Sequence, residues 1–242
     1  LQLTLAYWYR AVKRYEKAEV ACLKATELRP RDVDAYVSCG AVYLAQHRLD
    51  DAKVAFKQAI ELEPVQGCVG VAQVYRREGW VDEAVAYYLA AARVVTDGYT
   101  KADLLKEVAR IYEAQGQFDI AIVQYLAAAQ ATLDVGTMRA LYRHVADMYL
   151  AAGKPEAARS LIRSVLWNAR WNAGAWSLAT DVYPALIEWY EAQREMTKAR
   201  AVAWELLAIA PKHEAALQML TYYDFMANFA AAEVATLEEP FP

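Results

Sequence analysis

The sequence predicts an all-α protein made of paired helices, and three observations support this fold class. Within residues 36–64, apolar side chains recur at helical spacing on two stripes, separated by a polar turn at residues 46–49. The same pattern returns along the chain with a period of about 34 residues. The 242 residues include only 9 glycines and 7 prolines, which suits long helices joined by short turns.

A set of small and aromatic residues identifies the repeat within residues 36–64. The set consists of Gly40 and Tyr43 on the first helix and of Ala52, Phe56, Ala59 and Pro64 on the second. This pattern resembles the tetratricopeptide repeat. The resemblance implies a right-handed α-solenoid of antiparallel helix pairs, in which the first helices line a concave groove and the second helices form the outer face.

The tyrosine near the end of each first helix marks successive repeats. These tyrosines are Tyr9, Tyr43, Tyr75, Tyr112 and Tyr149. We predict a single array over residues 1–242, divided into an incomplete first repeat at 1–32 and further repeats at 33–65, 66–98, 99–136, 137–171 and 172–211, with a partial seventh repeat or C-terminal helices and tail at 212–242. Residues 97–98 and 133–136 are predicted to form lengthened loops between repeats.

The sixth repeat is irregular, because counting forward from the fifth repeat and backward from Pro211 gives registers that differ by two helical turns. We therefore predict a lengthened first helix over about residues 172–194, which Pro184 should kink or break. Trp167, Trp171 and Trp176 cluster at its start. These tryptophans either fill the space that the two extra helical turns create or form an exposed aromatic surface for a partner.

Residues 212–228 carry Ala216, Met219, Leu220 and Tyr223 on one apolar stripe. A terminal repeat normally has a polar outer face. Either more repeats follow in a longer protein, or this end packs on another molecule. The opening of the chain inside a repeat, without Met, also indicates a piece of a longer protein.

The three cysteines, Cys22, Cys39 and Cys68, fall at core positions of the repeat and lack metal-ligand spacing. We predict buried free thiols, which favour the cytoplasm or another reducing compartment.

Composition and motifs favour a binding function over catalysis. The net charge is −4, which argues against a nucleic-acid surface. An RNA-binding helical-repeat protein is nevertheless the class most easily confused with this one, because its repeat has a similar period. No apolar run is long enough to span a membrane. The three histidines are scattered and no phosphate-binding loop occurs, so we predict no enzymatic activity and no cofactor.

The resemblance also assigns residues of the first helices to the concave groove. The predicted partner-binding residues are Gln73, Arg76, Arg77, Lys106, Arg110, Arg143, His144 and Asp147. Their basic centre favours an extended or helical partner segment with acidic side chains. Two alternatives stay open: a charge-balanced face neutralised by nearby carboxylates such as Asp103 and Glu107, and self-assembly through the apolar C-terminal end.

Overall fold

The computed structural model describes the backbone of residues 1–169 and 173–224. It describes the side chains of residues 1–167 and 176–224. Within these ranges every regular element is an α-helix. The helices are α1 (Gln2–Ala11), α2 (Tyr15–Leu28), α3 (Val33–Ala45), α4 (Leu49–Leu62), α5 (Pro64–Glu78), α6 (Val81–Val94), α7 (Gly98–Ala114), α8 (Phe118–Ala131), α9 (Val135–Ala151), α10 (Pro155–Ala169), α11 (Ala173–Ala192) and α12 (Met196–Ile209). Residues 214–224 are also helical and are called α13. The predicted all-α solenoid fold of paired helices is confirmed.

The chain divides into two compact units. Unit 1 is Leu1–Leu133 and contains α1 to α8, whereas unit 2 is Asp134–Pro242 and contains α9 to α13. Each unit has a hydrophobic core of its own. The repeat boundaries and the single array remain predictions.

The core of unit 1 is packed closely around Phe56 on α4. A methyl group on Gly70 of α5 would lie 2.1 Å from a carbon of the Phe56 ring, and one on Gly40 of α3 would lie 2.6 Å from it. These distances are far below van der Waals contact, so only glycine fits at either position. Gly40 and Gly70 therefore allow three helices to meet over one aromatic ring.

The turns between paired helices follow the glycine pattern of the sequence. Gly79, Gly116 and Gly153 have φ angles of 84°, 74° and 68°, which lie in the left-handed region. Glycine takes this conformation without the steric cost of a side chain. The predicted left-handed turns are confirmed.

The predicted lengthened loops at residues 97–98 and 133–136 are wrong. The extra residues extend α7 and α9, which contain 17 residues each compared with 13 in α3. The Asp97 carboxylate accepts hydrogen bonds from the amides of Tyr99 and Thr100, and the Asp134 carboxylate accepts one from Thr137. These N-caps start each helix earlier than expected. Hydrogen bonds from Thr100 lower the pKa of Asp97, as expected for a capping carboxylate.

In unit 2, α11 contains 20 residues and continues through Pro184. Of the two effects predicted for Pro184, the break does not occur. Leu186, Ile187 and Tyr190, which follow the proline, are fully buried. Burial of this face holds the helix together across the missing amide donor.

An ionic cluster links three helices of unit 2 around Glu205 on α12. Arg159 Nη2 on α10 lies 2.5 Å from Glu205 Oε1, Arg163 binds the same carboxylate, and the Tyr183 hydroxyl on α11 donates to it at 3.2 Å. Burial opposes ionisation of Glu205, but the hydrogen bonds from both arginines outweigh it and lower the pKa of this carboxyl. The cluster thus joins α10, α11 and α12 within unit 2.

The C-terminal apolar stripe is covered within unit 2. Ala216, Leu220 and Tyr223 are at most 7% exposed and belong to the same core cluster as the buried residues of α11 and α12. Leu220 and Tyr223 are therefore not a free surface for self-assembly.

The prediction of three free thiols is wrong for two of them. Cys22 on α2 and Cys39 on α3 form a disulfide, whereas Cys68 is free. All three are buried as expected, and burial raises the pKa of the Cys68 thiol. Because the two cysteines are paired, the thiol-based inference of a reducing compartment no longer holds.

Candidate partner-binding surface

The predicted groove residues of unit 1 lie on α5 and α7. We call the surface formed by Gln73, Arg76 and Arg77 on α5 and by Asp103, Lys106, Glu107 and Arg110 on α7 the first-helix face. Glu107 connects the two helices, because Arg76 Nη1 lies 3.4 Å from Glu107 Oε2 and Arg110 Nη1 lies 2.8 Å from Glu107 Oε1. Arg76 and Arg110 are thus held beside each other by a shared carboxylate.

The other cations of this face differ in their pairing. Lys106 binds the Asp103 carboxylate three residues earlier on α7. Arg77 is exposed, and no carboxylate in the described part of the chain lies within ion-pair distance of it. Gln73 is partly buried one turn before Arg77 on α5. The face therefore combines paired, positioned cations with one arginine that is open to a ligand.

Exposed ion pairs of this kind are weak. The Arg76 and Arg110 side chains are 53% and 59% exposed, and a solvent-exposed pair contributes only about 0–1 kcal/mol. A ligand carboxylate can replace Glu107 as their partner at little cost. The carboxylates on the face balance much of its charge and also orient its arginines.

Glu113, a further carboxylate on α7, has a structural role. The Tyr125 hydroxyl on α8 donates a hydrogen bond of 2.6 Å to Glu113 Oε2 on α7. Burial of the ring and this hydrogen bond raise the pKa of Tyr125 well above its usual value. Glu113 thus ties the two helices of a pair together.

The remaining predicted groove residues lie on α9 in unit 2. Arg143 Nε is 4.0 Å from Asp147 Oδ2, one helical turn later, and both side chains are more than half exposed. His144 is partly buried and already engaged within the chain. These residues form a surface of unit 2 with its own local charge pairing.

Two of the three predicted tryptophans are accessible. Trp167 on α10 is 79% exposed and Trp176 on α11 is 44% exposed, whereas Trp171 lies outside the described residues. Trp167 therefore does not fill a core, which leaves the interpretation of an exposed aromatic surface for this residue.

The described residues also bear on two other kinds of site. No group of His, Cys, Asp and Glu side chains there could hold a metal ion. None of the helices described is both long and apolar enough to span a bilayer.

Sequence reasoning missed a second basic cluster, at the turns after α1 and α3. The missed signal is the register of the repeat, which places Lys13 and His47 where later repeats have Gly79 and Gly116. Basic residues at glycine positions can be found from sequence by aligning the repeats with one another.

Helix pairs of recurring length, close packing over small residues and a polar first-helix face define the class of helical-repeat proteins. The family model for the tetratricopeptide repeat matches residues 1–32, 33–66 and 65–94. Residues 1–94 are thus similar to tetratricopeptide repeats, a class that consists in general of non-catalytic scaffolds for protein interactions.

Comparisons with known proteins agree with this assignment. A TPR repeat-containing protein of Treponema pallidum (strain Nichols) is 38% identical over 98 residues, which is 39% of this chain and 12% of that protein. The chain thus spans about an eighth of that relative's length.

Two solved structures share the fold. The structure of pilF from Pseudomonas aeruginosa has a TM-score of 0.55 at 13% identity, covering 93% of this chain and 96% of that one. The C-terminal part of a TPR repeat-containing protein from Cytophaga hutchinsonii has a TM-score of 0.50 at 15% identity, covering 90% and 99% respectively.

Proposed function

We propose that this protein is a non-catalytic scaffold that binds a partner protein through its first-helix face. The ligand is an extended or helical segment that carries acidic side chains. The observation that carries the proposal is the arrangement of three arginines. Arg76 and Arg110 share the Glu107 carboxylate, and Arg77 has no ion-pair partner among the described residues. Arg143, His144 and Asp147 are proposed as a separate partner-binding surface of unit 2.

The chemistry of arginine supports an acidic ligand. A guanidinium group can donate two parallel hydrogen bonds to one carboxylate, which fixes the orientation of the ligand as well as its position. Lys106 adds a more mobile positive charge beside the arginines. A partner segment with spaced Asp or Glu side chains can therefore engage several turns of α5 and α7 at once.

A second candidate surface is the one around Trp167 and Trp176. Trp167 is 79% exposed, and a large aromatic side chain accessible to solvent is typical of an interface anchor. We propose this surface as the next place to search for a partner if the first-helix face binds none. The predicted contribution of Trp171 is part of that proposal.

Affinity capture from lysate tests the main proposal. The variant Arg76→Glu, Arg110→Glu, Arg143→Glu reverses three charges of the predicted surface. A matched variant, Lys24→Glu, Lys57→Glu, Arg93→Glu, reverses three exposed charges on the second helices α2, α4 and α6. Both variants should keep the helicity and melting temperature of the original protein, since all six side chains are on the surface.

The expected result is a partner that the original protein and the matched variant capture and the first variant loses. Mass spectrometry of the captured material names the partner. A partner retained by the first variant would contradict binding through the first-helix face and direct attention to the tryptophans. Loss of folding in the first variant alone would show that these arginines are structural.

A further inference from the structure

The turns that follow α1 and α3 meet the start of α2 in a cleft of about 550 Å³, which is lined by residues 13–17 and 45–47. We propose that this turn cleft is a second binding site, which takes a carboxylate-rich segment of a partner protein. It shares no residue with the first-helix face, so it extends the proposed function to a separate surface of unit 1.

The lining of the turn cleft is strongly basic. Lys13, Arg14 and Lys17 are exposed, and none of them forms an ion pair with a carboxylate in the described part of the chain. His47 also lines the cleft, and Glu16 is the one carboxylate among the lining residues. Like charges this close repel one another, and an anionic ligand relieves the repulsion.

Neighbouring cations outside the cleft are neutralised by the chain itself. Arg48, which follows His47, binds Glu19 at 2.9 Å and Asp51 at 2.7 Å. Its hydrogen bond to Glu19 and, to a smaller extent, its hydrogen bond to Asp51 raise the pKa of the guanidinium group. The unpaired charges of the cleft are therefore a local feature and do not reflect a shortage of carboxylates in this region.

The backbone at the cleft is held in a conformation that its residues disfavour. Lys13 and His47 have φ angles of 58° and 61°, in the left-handed region. The amides of the next residues donate to the carbonyls of Tyr9 and Tyr43, the same turn that Gly79 makes after α5. A residue with a side chain pays roughly 1–2 kcal/mol in this conformation.

This cost indicates what the two side chains do. Glycine would relieve the strain at both positions, as it does at the equivalent turns of later repeats. A basic side chain that is retained at a strained position, exposed and without an ion pair, points to a role in binding. Two adjacent repeats place such a residue on the same cleft.

The N-terminus of α2 strengthens the positive field. The N-cap residue, Arg14, makes no side-chain hydrogen bond to the first-turn amides of α2. Those amides remain available to a ligand oxygen, and the helix dipole favours negative charge at this end. The first residues of α2, at the positive end of the helix dipole, and the cationic side chains therefore line the same cleft.

A polypeptide carboxylate fits the cleft better than a nucleic acid does. Tyr15 is the one aromatic residue in the lining, whereas single-stranded nucleic acids are bound on rows of aromatic side chains. The net charge of the chain, −4, also disfavours a long polyanion that must approach much of the surface. A cleft of this volume accommodates a short segment with one or two acidic side chains.

Fluorescence anisotropy with a defined probe tests the proposal. The probe is a labelled decapeptide of alternating Gly and Glu, and the control peptide has Gln in place of Glu. The double variant Lys13→Gly, His47→Gly removes two cleft side chains and relieves the backbone strain. We expect it to bind the glutamate probe at least about tenfold more weakly while its melting temperature stays the same or rises.

Two control variants locate the binding. Arg194→Gly makes the same chemical change at a third left-handed turn, in unit 2, where φ is 60°. Arg76→Glu, Arg110→Glu reverses the first-helix face. Arg194→Gly should retain binding of the glutamate probe. The Arg76→Glu, Arg110→Glu variant removes binding at the first-helix face, so the binding that remains in it, and that adding Lys13→Gly, His47→Gly abolishes, belongs to the cleft.

Four results would overturn the proposal. Equal binding of the glutamine peptide would show that charge is not recognised, and an equal loss in Arg194→Gly would show a general effect of charge. Loss only in the first-helix variant would place the acidic ligand there. Full displacement of the probe by inorganic phosphate at the peptide's own concentration would define a small-anion site with no preference for a polypeptide.

Discussion

The disulfide between Cys22 and Cys39 joins α2 to α3, so it links the first helix pair to the second. Both residues are at most 3% exposed. Their sequence separation is 17 residues, and a crosslink of this span stabilises a fold mainly by restricting the unfolded chain. The crosslink therefore holds α2 and α3, and with them the first two helix pairs, together.

We expect thiol labelling to show this pairing directly. In denaturant without reductant, iodoacetamide should add to Cys68 alone, and after reduction it should add to all three cysteines. Reduction should lower the free energy of unfolding by about 3 kcal/mol. Intact mass and denaturant melts measure the two effects.

The variant Cys68→Ala is the control, since it should take up no label before reduction. Labelling of all three cysteines in unreduced protein would contradict the pairing. Sequence alone did not predict this pair, because its spacing matches no motif and its proximity depends on how α2 packs on α3.

At the scale of the helices, packing around Phe56 decides how closely α3, α4 and α5 approach. The ring occupies the space that side chains on Gly40 and Gly70 would need. Helix propensity alone would favour alanine at both positions by about 1 kcal/mol. The overlap of a methyl group with the ring costs about 1–3 kcal/mol and outweighs this gain.

The substitution Gly70→Ala is therefore expected to lower the melting temperature by about 2–4 °C. Adding Phe56→Leu to that variant should recover part of the loss, because the smaller side chain leaves room for the methyl group. Circular dichroism melts of the single and double variants provide the comparison.

Gly136→Ala on α9 is the matched control. There a methyl group would come within 3.4 Å of the Asp134 carboxylate and meet nothing closer, so helix propensity should dominate and stability should stay the same or rise. A Gly70→Ala protein as stable as the original would show that Phe56 is not confined as described.

Helix identity was predictable at this scale, whereas helix starts were not. The repeat pattern predicted α3 and α4 and the glycine turns because burial on one face imposes a helical period. The starts of α7 and α9 depend on capping by Asp97 and Asp134. The Asp-Gly-Tyr-Thr sequence at residues 97–100 contains that capping signal, but its glycine favoured a loop.

For the whole molecule, the sequence predicted the fold class, and the assignment of residues to the first-helix face stays a prediction. The sequence did not predict the pairing of those residues, since the Arg76–Glu107 contact joins different helices and depends on their packing. The turn cleft was missed for a related reason: residues 13–17 and 45–47 meet only after α2 and α3 have packed. The residues that define the repeat are those at which helices pack. The exposed residues between them determine which ligand binds.

The central claim is that a partner binds on the first-helix face, and site-specific photocrosslinking tests it most directly. A benzophenone side chain is placed either at Gln73 on α5 or at Gln58, which is exposed on the second helix α4. Each protein is irradiated in lysate, and the adducts are identified by mass spectrometry. We expect a specific adduct from position 73 that the Arg76→Glu, Arg110→Glu background reduces, and none from position 58. A specific adduct from position 58 with none from position 73 would contradict the claim.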